Sequence, residues 1–96
     1  MSMTFEKLAE LVADDFQKTM NEEGFETFKE MKKCYDWDAQ DIKEEVDSII
    51  SELNKKAYEE SGETFWMSDD YSFLQIGIFD DMSWGDFKKL VFSHLK

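Results

Sequence analysis

The amino-acid sequence predicts a small α+β domain of order ααα-ββ-α: three N-terminal helices, a β-hairpin and a C-terminal helix. Three observations lead there. Apolar residues recur at helical spacing from Phe5 to Ala57. After Gly62 the chain turns to aromatic and β-branched runs of strand character. At Ser83 a fresh helix start is written. Ninety-six residues with 42% hydrophobic and 16% aromatic content can fill one core, so a single acidic domain spanning 1–96 is expected.

The first helix runs from about Phe5 to Met20, with Phe5, Leu8, Ala9, Val12, Phe16 and Met20 on one stripe. Thr4 is its N-cap, Glu6 favours the first turn, and Gly24 is the stop. A shorter helical pattern follows through Phe25, Phe28, Met31 or Lys32, and Tyr35. The third helix opens at Asp38, with Asp41 three residues on in the manner of a capping box. Trp37 and Ile42 make the flanking hydrophobic staple. Ile42, Val46, Ile49, Ile50, Leu53 and Ala57 keep its apolar face, and Gly62 ends it.

The strand runs are Thr64 to Met67 and Tyr71 to Phe79, joined by the turn chemistry of Ser68-Asp69-Asp70. Leu74, Ile76 and Ile78 are expected on one face, with Tyr71, Phe73 and Phe79 on the other. The last helix starts at Ser83 with Asp86 as its box partner and Met82 and Phe87 as staple. Its apolar face is Phe87, Leu90, Val91, His94 and Leu95.

Charge is distributed unevenly. The chain has 23 acids against 11 bases, every base a lysine, for a formal charge of −12. Between Lys56 and Lys88 there is no basic side chain, yet eight carboxylates and eight of the fifteen aromatics lie there. Direct binding to DNA, RNA or an anionic membrane is disfavoured, because such binders need a basic footprint. The lack of arginine removes the usual bidentate clamp for phosphate substrates. Self-repulsion favours a monomer in the free state, or a complex with something positive. Cys34 is the one cysteine, Met1 to Phe5 lacks signal-peptide character, and no run has the length of a membrane span. A cytoplasmic protein is expected.

Catalytic and metal chemistry are thinly supplied. His94 and Cys34 are sixty residues apart on different helices, and a nucleophile–base pair needs an orienting third group. The expectation for Cys34 is a small buried hydrophobe, and for His94 a half-buried residue at a helix end. Asp36 to Asp47 superficially resembles a calcium loop but has Asp41 where glycine belongs and Asp47 where a bidentate glutamate belongs. The chain is therefore expected to be no enzyme and to carry no cofactor or metal.

The acidic faces point to a partner. On the third helix Asp41, Glu45, Glu52 and Glu59 fall within about 40° of one another, roughly 6 to 10 Å apart along the axis. Phosphates on DNA are spaced on a comparable scale. The first helix repeats the pattern with Glu6, Glu10 and Asp14. Taken alone, such rows are also ordinary solvated helix faces. The Glu59-Glu60-Glu63 cluster, Asp69-Asp70 and Asp80-Asp81 add acids that have no lysine nearby in sequence. Trp66 and Tyr71 are expected among them as aromatic anchors where the hairpin aromatics are exposed, since interface hot spots favour Trp and Tyr; the alternative is that these aromatics fill the core.

In composition and in the carboxylate rows of residues 6–14, 41–59 and 59–81, the chain resembles small acidic phage-encoded inhibitors of the anti-CRISPR and DNA-mimic kind. The resemblance is one of class and rests on no diagnostic motif. It implies a non-enzymatic protein of the host cytoplasm that fills the nucleic-acid channel of a nuclease, restriction enzyme or CRISPR effector with carboxylates in place of phosphates. The other expectation is a small structural or regulatory adaptor that meets its partner through an apolar-aromatic surface.

Overall fold

Each helix begins where a side chain can catch a free backbone N–H. The computed structural model describes residues 2–95. Helix α1 (Phe5–Glu23) is capped by Thr4, whose side chain accepts from the Lys7 N–H. It runs one turn beyond Met20 to Gly24, which takes the left-handed conformation and returns its N–H to the Met20 carbonyl. Helix α2 (Phe28–Cys34) is a short element capped by Thr27, so Phe25 and Tyr35 of the expected pattern flank it. Helix α3 (Ala39–Ser61) carries the full capping box: the Asp41 N–H donates to Asp38, and Asp41 accepts from the Asp38 N–H. The left-handed Gly62 (φ 73°) closes it.

The predicted hairpin forms, and the sheet is larger than predicted. Strands β1 (Phe65–Met67) and β2 (Phe73–Ile76) pair antiparallel, with Met67 opposite Leu74. The expected single run from Tyr71 to Phe79 is broken: Gly77 turns with φ 64°, and β3 (Asp80–Ser83) returns antiparallel along β2. The order is β1-β2-β3, which leaves β3 as an edge strand headed by two aspartates. This third strand is the correction to the hairpin reading. It also moves Ile78 and Phe79 off the sheet faces and onto an exposed turn.

Helix α4 (Trp84–Ser93) follows β3 directly. Ser83 caps it by accepting from the Asp86 N–H, which is one half of the expected box. The reciprocal half is absent among the described residues.

One apolar core unites these elements. Leu8, Val12 and Phe16 from α1, Ile42, Val46 and Ile50 from α3, and Phe87 and Val91 from α4 are all buried. Phe65, Met67 and Leu74 from the sheet join the same cluster. Helix α1 lies against both α3 and α4, while α3 packs on β1 and α4 on β2 and β3. The sheet is thus covered by helices on one face only. Residues directly opposite each other in paired strands share a face, so Phe65, Met67, Leu74, Ile76 and Met82 look inward. A satellite of aromatic rings (Phe16, Phe28, Trp37 and Phe92, with Phe25 and Tyr35) ties α2 to α1 and α4.

Candidate protein-binding surface

The turn between β1 and β2 is built around one carboxylate. Asp70 Oδ1 accepts from the Ser72 hydroxyl at 2.6 Å, the Ser68 hydroxyl at 2.8 Å and the Ser72 N–H at 3.0 Å. These bonds, the Ser72 hydroxyl foremost, hold its carboxyl below the usual carboxylate range. Tyr71 follows in the left-handed region at φ 59°. Its ring is half-buried and packs on the core, so it is less open to a partner than Trp66. Asp69 stays exposed at the tip, within electrostatic reach of Asp47 on α3. Burial, and then the Asp69 charge, push the Asp47 carboxyl upward.

The opposite end of the sheet collects the other acids. Glu59 and Glu60 are exposed on the last turn of α3, and Glu63 lies in the loop that follows. Glu63 is half-buried: its Oε1 accepts the Met3 N–H at 2.8 Å, and its carbonyl accepts from the Asn54 amide at 3.1 Å. Residues 62–64 and the turn at 77–80 line one shallow depression, which brings Ile78, Phe79 and Asp80 to the same end as Glu63. Asp80 and Asp81 are both exposed. The acids predicted as one site therefore occupy two ends of the sheet, joined by its outer face.

The helical rows separate differently. Glu45, Glu52 and Glu59 are exposed along α3, with Asp41 engaged in its cap. Asp15 of α1 lies across the α1–α3 groove from this row, sharing one depression with Glu45 and the next with Glu52 and Glu59. Only tertiary packing reveals that Asp15 joins the row. Lys55 and Lys56 line the same groove, so the α3 row carries compensating charge within reach. On α1, Glu10 pairs with Lys7 at 3.7 Å, and Glu6 sits 3.0 Å from His94 Nε2.

Among the described residues Lys7–Glu10 is the one lysine–carboxylate ion pair, and neither it nor the Glu6–His94 contact involves an acid from residues 57–87. The sequence left open whether tertiary folding would bring lysines to these acids. Among the described residues, it brings none within ion-pair distance.

Exposed apolar groups concentrate on the same stretch. Trp66 is 42% exposed and Phe73 38%, both on the sheet face away from the helices, while Ile78 and Phe79 reach 75% and 89%. Cys34, expected to be buried, is exposed at the end of α2. Asp41 and Asp47 are helical, so the chain has no calcium loop at Asp36 to Asp47. No group of three or more His, Cys, Asp or Glu side chains is placed to hold a metal among the described residues.

Fold and surface together define an α+β domain with a half-covered sheet, its open face and both ends acidic and aromatic. Comparison with protein-family models, with curated proteins and with solved structures returns no match. No helix among the described residues is long and apolar enough to cross a membrane.

Proposed function

We propose that the chain is a non-enzymatic binding protein that inhibits a basic, nucleic-acid-handling partner (a nuclease, a restriction enzyme or a CRISPR effector) by DNA-like charge mimicry. The observation that carries this reading is the unpaired state of the acids between Ala57 and Phe87. Eight carboxylates with no ion-pairing lysine among the described residues create a negative field that an external cation would relieve. Glu59, Glu60, Asp69, Asp80 and Asp81 are the exposed contacting acids. Asp70 and Glu63 mainly hold the loops that present them.

A specific observation also favours a second reading. The exposure of Ile78 and Phe79 suits an adaptor that engages its partner through apolar contact, with the acids serving solubility.

The test is competition. Purified nucleic-acid-cleft enzymes are titrated with the chain in the presence of labelled duplex DNA, at low and high salt. Charge mimicry expects displacement of the DNA at low salt and its steep loss at high salt. Binding that ignores salt and leaves the DNA in place would favour the adaptor.

A further inference from the structure

The outer sheet face offers more than negative charge. By the strand register, Trp66, Gln75 and Asp81 form one row across the three strands, and Phe73 and Ser83 belong to the adjacent row. These positions alternate with the buried Phe65, Met67 and Leu74, so they point away from the helices. With strands about 4.8 Å apart, Trp66 and Asp81 have backbones separated by about 10 Å, with the Gln75 amide between them.

We infer that this face is a docking platform for an arginine side chain of a basic protein partner, in preference to a lysine. The inference rests on the charge-mimicry reading above and names the chemistry its partner surface must present. A guanidinium is planar: it can lie flat on an indole or phenyl ring while its N–H edge meets a carboxylate and an amide oxygen. Trp66 and Phe73 supply the rings, Asp81 the carboxylate and Gln75 the amide. An ammonium matches the charge but not the plane.

Charge complementarity selects this occupant over the others. A second copy of a chain with formal charge −12 would bring acid against acid, and a nucleic acid would be repelled in the same way. No basic side chain of the chain itself fills the platform among the described residues. The cation–π contact of the fold lies elsewhere, with Lys88 Nζ 5.7 Å from the Phe92 ring centre.

The experiment titrates the full chain with an oligoarginine peptide and with an oligolysine peptide of equal length, at low salt. The platform expects oligoarginine to bind about three- to tenfold more tightly. Nuclear magnetic resonance is expected to show the largest shifts at the Trp66 indole N–H and the Gln75 side-chain amide. The paired change Trp66→Leu and Phe73→Leu should weaken oligoarginine more than oligolysine and so remove the preference, and Asp81→Asn should weaken both. Equal affinity of the unaltered chain for both peptides overturns the platform while leaving charge mimicry standing. So does an arginine preference that survives the paired change, or shifts confined to α1 and α3. Failure of both peptides to bind removes the two readings together. The shift map on the unaltered chain decides the matter even if the paired variant does not fold.

Discussion

The carboxylate of Glu63 accepts the backbone N–H of Met3 at 2.8 Å, joining the start of the chain to the loop that links α3 with the sheet. It is a charged acceptor in a half-buried setting, bridging residues sixty apart in sequence. Glu63 is thereby distinguished from Glu59 and Glu60, its neighbours in the same acid cluster, which are exposed.

Glu63→Ala is expected to lower stability by about 1.5 to 3 kcal/mol, as the loss of a hydrogen bond to a charged group does. Glu59→Gln and Glu60→Gln should leave stability unchanged or slightly raised while weakening attachment to a basic partner. Urea unfolding of the three variants, followed by circular dichroism, separates the two roles. Equal destabilisation by all three changes would contradict the assignment.

Asp70 and Asp47 should respond oppositely to acid. The folded Asp70 carboxyl is held low, so its stabilising effect is complete above the ordinary carboxylate value of about 4 and is lost as pH falls through its lowered value. The folded Asp47 carboxyl is raised, so its charge destabilises the fold at neutral pH and the cost is relieved as pH falls through the raised value. Asp47→Asn is therefore expected to raise the melting temperature at neutral pH, with the gain vanishing in acid. Asp70→Asn should lower it at neutral pH, and this loss should shrink in strong acid. Melting curves across pH check both signs.

Self-repulsion among unpaired acids predicts a fold strengthened by salt. Moving from about 0.01 M to about 0.15 M ionic strength shortens the screening length from about 30 Å to about 8 Å. The melting temperature should rise over that interval, and Glu59→Lys or Asp81→Lys should blunt the rise. A melting temperature indifferent to salt would mean that the acids are neutralised within the fold.

Ile78 and Phe79 support no core, so Ile78→Ser with Phe79→Ser should alter stability by no more than about 0.5 kcal/mol. Calorimetry checks this first. The same variant then tests the adaptor reading: loss of partner binding with its salt dependence unchanged would assign the turn an apolar docking role.

Helix ends were the most legible part of the fold. Thr4, Asp38 with Asp41, Ser83, Gly24 and Gly62 act through hydrogen bonds to residues three or four positions away, so local sequence carries the whole signal. β3 was not legible. Asp80-Asp81-Met82-Ser83 has poor intrinsic strand preference, and its conformation is imposed by pairing with β2. The aromatic run ahead of it hid the Gly77 turn, and with it the exposure of Ile78 and Phe79. Among the candidate acids, sequence identified the Lys-free cluster. It did not separate the acids that brace loops, Glu63 and Asp70, from those left to solvent, and the place of Asp15 opposite the α3 row emerges only from packing.

The pair of aspartates at the head of β3 has a consequence apart from any partner. An open strand edge beside exposed Ile78 and Phe79 is a template on which a second molecule could add its own strand and begin a fibre. Two consecutive carboxylates there mean that in-register stacking would set like charges a few ångströms apart, strand upon strand. The protein can therefore display a sticky turn at high concentration without polymerising through it.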